Sequence, residues 1–144
     1  MIIYYFKKKE NKDQILAESI YKDLIDLINK LISNKDNQII PNFQNTFEIS
    51  SLFLFCFFKS FKNDKKITDH VMKLFIEDLD RCLIIEGITD MKIGKYVKFY
   101  LKKFYFRVSS YDKIFTDGNY QNFEKFIIDF KIFKLNSSNF NFYK

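Results

Sequence analysis

EDLDRCLIIEGITDMKIG, residues 77–94, can be read as a carboxylate site or as the corner of a helical hairpin. Glu77 and Asp80 lie three apart and would share one helical face, with Asp78 beside them, a spacing that can hold a divalent cation or an acid/base pair. The punctuation of the same stretch points elsewhere. Gly87 stands where a helix ends on a left-handed residue, and Asp90 is placed as the N-cap of the next helix. Only a short link separates them, so helices over about 67–86 and 91–115 are predicted to fold back on each other as a hairpin.

Outward from that corner the apolar periodicity is helical. On the N-terminal side Val71, Leu74, Phe75, Leu79, Cys82 and Leu83 form an inner face. On the C-terminal side Ile93, Val97, Tyr100, Phe104, Val108, Tyr111 and Phe115 fall together, and Lys95, Lys98 and Lys102 fall opposite them, flanked by Lys92, Lys103 and Lys113. The aromatics are expected mainly on the inner side, so the lysine face is not read as a base-stacking platform.

Further upstream, Leu16, Ile20, Leu24, Leu27 and Leu31 recur every three or four residues between Asp13 and Ile32, with Ile25, Ile28 and Ile32 widening the stripe, an amphipathic helix. SNKDNQ and Pro41 form a loop. Asn45, with Glu48 three residues on, is placed as N-cap and capping-box partner of a second helix running to about Phe61. That helix is apolar on nearly every side, as a buried central helix would be. Downstream, TDGN at 116–119 reads as a turn, QNFEKFIIDFKIF as a fifth helix, and NSSNFNFYK as a loose tail. The expected architecture is all-α: one domain over residues 1–144, a bundle of about five helices with its core at about 13–135.

The totals suit this. A chain of 144 residues buries roughly 70% of its unfolded surface, and 47% hydrophobic with 29% charged residues fits neither disorder nor an integral membrane protein. The net charge of +6 is carried almost entirely by lysine, Arg81 and Arg107 being the arginines, alongside 19 Phe and no Trp. Part of that bias is the codon signature of an A+T-rich genome. Cys56 and Cys82 make no metal or disulfide pattern and are expected as buried free thiols in a reducing compartment. MIIYYFKKKENKDQ lacks the order of a signal peptide, and LFLFCFF at 52–58 is far short of the roughly 20 residues that span a bilayer. A soluble, unprocessed protein able to touch a membrane is expected.

The chemistry of known catalytic motifs is missing from this pattern: no Gly-rich phosphate loop, no HExxH, no GxSxG. His70 lies alone, seven residues before Glu77. Neither a metal nor a cofactor is therefore expected, and no residue is assigned as catalytic. The carboxylates at 77–80 are read as a solvated or salt-bridged acidic face. Arg107 is expected to point inward and pair with Asp80 or cap carbonyls across the hairpin. Lys95, Lys98, Lys102 and Lys103 remain as candidates for anionic lipid headgroups, a ribosome or RNA phosphates. The scarcity of Arg weakens base-specific readout. The abundant Phe admits an exposed apolar groove suited to a hydrophobic client.

FIEDLDRCLIIEGITDMKIGKYVKFYLKKFYFRVSSYDKIF resembles the pattern of the ubiquinol-cytochrome c chaperone family: an acidic helix, a Gly-x-x-Asp turn, and a basic helix ending in Phe-Tyr-x-Arg-x-x-x-Tyr. The matching residues are Asp78, Asp80, Leu83, Gly87, Asp90, Lys95, Phe104, Tyr105, Arg107 and Tyr111. Ile40-Pro41, Phe47-Glu48 and Tyr21 resemble upstream features of that family, and the resemblance spans about 15–135. Thr46, Phe53 and the pair Ile84 and Ile85 depart from it, standing where the family has Arg, His and an Arg-Glu pair. The resemblance implies an all-helical, non-enzymatic assembly chaperone that engages newly made cytochrome b for the bc1 complex, in some members with a second assembly factor and near the ribosomal exit. The short form implies the bacterial version, on the cytoplasmic side of the inner membrane, or the matrix side if organellar. A basic helical RNA- or ribosome-binding protein is the alternative that the residues themselves leave open.

Overall fold

A computed structural model describes the backbone of residues 2–118 and 120–129, and the side chains of residues 12–118 and 120–126. The described residues form five α-helices: α1 (Ile2–Ser33), α2 (Phe43–Ser60), α3 (Lys65–Ile85), α4 (Asp90–Asp117) and α5 (Tyr120–Asp129), with a single 3-10 turn at Lys35–Asn37. The fold is an all-α bundle, as predicted. The predicted tail at 136–144 and the end of the fifth helix lie outside the described residues.

Helix α2 is the most buried helix among the described residues. Phe47, Ile49, Leu54, Phe55 and Phe57 are buried on several sides of it. α1 packs on α3, α3 on α4, and α2 touches both α1 and α4. The main core joins Ala17 of α1, Phe47, Leu54 and Phe57 of α2, Val71, Phe75 and Leu79 of α3, and Tyr100 and Phe104 of α4. A second cluster around Ile28, Ile39 and Ile49 closes the α1–α2 end, and a third pairs Phe55 with Tyr111 under α5. Buried Ser51 satisfies its hydroxyl by donating to the Phe47 carbonyl at 2.8 Å.

The α3–α4 corner closes as the sequence at 77–94 suggested. The Ile88 amide donates to the Leu83 carbonyl at 3.1 Å and the Gly87 amide to the Ile84 carbonyl at 3.0 Å. These two bonds are those of a Schellman stop. Gly87 sits at φ +94°, and Ile88 packs back on the core that holds Leu83.

Several boundaries shift. The N-cap of α2 is Asn42 rather than Asn45: the Asn42 side chain accepts from the Asn45 amide at 2.8 Å, and Asn45 is buried, donating to the Ile40 carbonyl at 2.8 Å. Both residues are capping types, and Pro41 ends the loop directly before Asn42, so the helix begins one turn earlier than expected. Thr89, extended at ψ 153°, precedes α4, leaving Asp90 as its first residue. There its charge faces the positive end of the helix dipole. α4 also continues through Asp117 to Gly118, a left-handed cap at φ 64°, so Thr116 and Asp117 are helical and the predicted turn begins at Gly118, while Asn119 lies outside the described residues.

The buried side of α1 lies toward the edge of the predicted stripe that Ile25, Ile28 and Ile32 widen. Ala17 and Ile28 are buried, whereas Leu16 and Leu27 are about half exposed. Nor are both thiols buried: Cys56 is exposed and Cys82 half-buried, because α2 is apolar all round and one side of it reaches the surface at Cys56.

A Cβ at position 87 would meet nothing within 4 Å, so Gly87 is required by its backbone angle alone. Gly87→Ala is expected to lower unfolding free energy by about 1–2 kcal/mol in urea titration, with helical content of the native state unchanged.

Candidate functional site

Glu48 is the most buried charge of the described residues, with its side chain 5% exposed on α2. Two cations of α4 close on it. Arg107 donates from Nε to Oε2 at 2.9 Å and from Nη2 to Oε1 at 3.1 Å, and Lys103 Nζ lies 3.1 Å from Oε1. The two-pronged arginine contact fixes both distance and rotation between α2 and α4. One turn earlier, Gln44 donates to the Tyr100 hydroxyl at 2.6 Å. Lys103 also lies over the Phe47 and Tyr100 rings at 5.5 and 5.9 Å, and the Arg107 guanidinium over Phe126 of α5 at 5.2 Å. The cluster therefore ties three helices together.

Arg107 points inward as expected, but its partner is Glu48 and not Asp80. The hairpin register explains this. Phe104 rings against Phe75 at 5.1 Å, so Arg107 stands level with about position 72. Asp80 is eight residues away along α3, roughly 12 Å at 1.5 Å per residue. Only α2 offers a carboxylate at the right height. Glu48 was legible as a helix-start residue and was missed as the arginine's partner, since the sequence separation of 59 residues carries no local signal.

The carboxylates of the opening stretch separate. Asp78 accepts from the Tyr21 hydroxyl at 2.8 Å and lies 3.6 Å from Arg81. Glu77 is exposed and borders a shallow surface with His70, while Asp80 is half-buried. Among the described residues no three His, Cys, Asp or Glu side chains gather as metal ligands would. Burial drives the Tyr21 phenol above its ordinary range, and the bonded Asp78 carboxylate raises it further. Burial, and then Asp78, raise the Cys82 thiol as well. Such a thiol is a poor nucleophile.

Tyr21 and Asp78 stand at the edge of an apolar cavity of about 250 Å³ between α1, α2 and α3. Leu24, Phe43, Phe47, Leu54 and Phe75 supply much of its wall.

On α4, Lys95, Lys98 and Lys102 are exposed, while Lys103 is committed to Glu48. Phe104 and Tyr111 are buried. The aromatics of α4 are not confined to the inner side: Tyr96, Phe99, Tyr105 and Phe106 are exposed, interleaved with the lysines. At 3.6 residues per turn Phe99, Tyr105 and Phe106 lie roughly 100° or more from the direction of Tyr100, Phe104 and Tyr111, so they cannot share the core-facing side. The Tyr111 hydroxyl is buried without a hydrogen-bond partner among the described residues. Burial, followed by the nearby Glu48 charge, raises its phenol.

The family model of the ubiquinol-cytochrome C chaperones matches residues 35–122, more than half of the chain and the whole of α2, α3 and α4. The chain belongs to this family. The resemblance carried by the 77–94 corner and its flanks is thereby confirmed, and membership suggests a role in bc1 complex assembly. No curated protein and no solved structure matches the chain at a significant level. Residues far apart in the sequence of this chain meet in space: Tyr21 with Asp78, Glu48 with Arg107.

Removing one member of a buried ion pair leaves the other uncompensated. Glu48→Ala and Arg107→Ala are each expected to destabilise by about 3–5 kcal/mol in chemical denaturation, with the double variant costing much less than the sum. Tyr21 and Tyr111 govern the alkaline limb. In the unfolded chain they begin to lose protons near the ordinary value of 10.0, while in the folded chain they keep them. Their stabilisation is complete below pH 10.0 and falls as pH rises further. Unfolding free energy should therefore drop above that pH, and Tyr111→Phe should flatten the drop.

Proposed function

We propose that this protein is a non-enzymatic assembly chaperone that holds an apolar segment of newly made cytochrome b in the cavity between α1, α2 and α3, for delivery to the ubiquinol-cytochrome c reductase complex. The observation that carries this reading is the family match laid over that cavity: α2 and α3, both inside the matched region, provide most of its apolar wall. A volume of about 250 Å³ suits one or two apolar side chains rather than a cofactor. The wall is aromatic and aliphatic, with Tyr21, Asp78 and Ser50 as polar edges able to meet a backbone amide or carbonyl of the client. No described helix is long and apolar enough to cross a membrane. In this reading the chaperone meets its client from the side of the bilayer, on the cytoplasmic face in a bacterium or the matrix face in an organelle. A second assembly factor completes the machinery in this reading.

A photocrosslinking amino acid placed at Thr46, which lines the cavity and is half-buried, tests this in cells. The expected result is an adduct with cytochrome b that disappears when Leu24→Arg fills the cavity, together with a loss of assembled bc1 complex when the gene is deleted. An unchanged bc1 content after deletion, with no cytochrome b adduct, overturns the reading.

A further inference from the structure

The outer face of α4 carries a pattern that neither the core nor the cavity uses. At 3.6 residues per turn, Met91, Lys95, Lys98, Phe99, Lys102, Phe106 and Lys113 fall within an arc of about 100°. The stripe runs for roughly 33 Å along the helix, at 1.5 Å per residue. Met91 is 98% exposed, Phe99 58% and Phe106 63%, with Tyr105 at 58% on the edge of the stripe. At the corner that leads into it, Ile85 is 82% exposed. Between Met91 and Tyr111 the helix has five lysines and Arg107 but no acidic residue. Lys95, Lys98 and Lys102 have no ion-pair partner among the described residues. Cations and large apolar side chains thus alternate along one outward line.

We infer that this face docks on an anionic phospholipid bilayer, with α4 lying in the headgroup plane, Met91, Phe99 and Phe106 entering the acyl boundary, and Lys95, Lys98 and Lys102 reaching lipid phosphates. The chemistry of the stripe selects this occupant. Phe and Met have no hydrogen-bonding group to offer, so their exposure is relieved by hydrocarbon, while the flexible lysine stems let the ammonium groups rise to the phosphates. A protein partner fits less well, because lysine is depleted from the buried centres of protein interfaces. A second copy related by a two-fold axis would set lysine stripe against lysine stripe. RNA recognition leans on arginine, and Arg107 is turned inward onto Glu48. Lipid docking and client capture use different surfaces, the outer face of α4 and the α1–α3 cavity, so either can fail without the other.

Co-sedimentation of the full chain with phosphatidylcholine vesicles, and with vesicles rich in phosphatidylglycerol, decides the matter. Binding is expected to the second kind only and to weaken with added salt. With each lysine contributing about five-fold to partition, K95E/K98E/K102E is expected to weaken binding by well over ten-fold, and F99Q/F106Q by several-fold. Both variants replace exposed side chains, and retention of the wild-type circular dichroism spectrum verifies their fold. The chain has no tryptophan, so Phe99→Trp adds a single reporter whose emission should move to the blue on anionic vesicles and stay unchanged with phosphatidylcholine or with single-stranded RNA. Absence of vesicle binding, equal binding to both vesicle kinds, binding indifferent to both variants, or an unmoved F99W emission on bound vesicles each overturns the inference. RNA binding, or self-association, that replaces vesicle binding and is lost in the same variants would make this face a nucleic-acid or protein surface instead.

Discussion

A carboxylate buried near the start of an apolar helix must be neutralised, and Glu48 on α2 makes that demand on the whole bundle. An unpaired charge there would cost several kcal/mol, so α4 has to present cations at the right height and rotation. Arg107 and Lys103, one turn apart on α4, meet the requirement with contacts of 2.9 to 3.1 Å. Because guanidinium and carboxylate are both planar, the pair sets a direction as well as a distance. Hydrophobic packing alone would tolerate sliding of one Phe-rich helix on another; this pair does not. Phe126 over Arg107 extends the constraint to α5.

Once α2 and α4 are locked, the hairpin corner positions the rest. The Schellman bonds at Gly87 and Ile88 end α3 abruptly, and the Phe75–Phe104 contact fixes how α3 returns along α4. α1 then closes on α2 and α3 through Ala17 and Ile28. Its Tyr21 hydroxyl finds Asp78 across the seam. The cavity lies where these three helices leave space beside that hydrogen bond. A bundle whose walls are held by polar clamps can keep an apolar hollow open, where a purely apolar seam would collapse to fill it. The same architecture leaves the opposite side of α4 facing outward with its lysines and aromatics, so the apolar cavity and the charged stripe sit on separate surfaces of one small domain.

The helices were legible because local rules specify them. Apolar residues three and four apart marked α1, α3 and α4, and Gly87 marked the corner, since a helix stop is written within a few residues. The errors came where two local signals competed or where the deciding contact was distant. Asn42 and Asn45 are equally good caps, and only the adjacent Pro41 favours the first. Leu16 and Leu27 belong to the periodic stripe of α1 yet stay about half exposed, because they lie on the edge of the stripe away from buried Ala17 and Ile28. The aromatics of α4 were placed inward by hydrophobicity, but the core accepted Tyr100, Phe104 and Tyr111 and left Phe99 and Phe106 outside.

The amino-acid sequence by itself determined the all-α class, the hairpin at 77–94, the lysine face of α4 and the family pattern, since each rests on residues within a turn or two of one another. Tertiary structure alone decided that Arg107 answers Glu48 and not Asp80, that Tyr21 bonds Asp78, and that Lys103 leaves the free lysine face. Those pairings span 55 to 59 residues of chain and depend on the relative height of neighbouring helices. That height is set by the packing of rings such as Phe75 and Phe104, a quantity no local stretch of sequence contains.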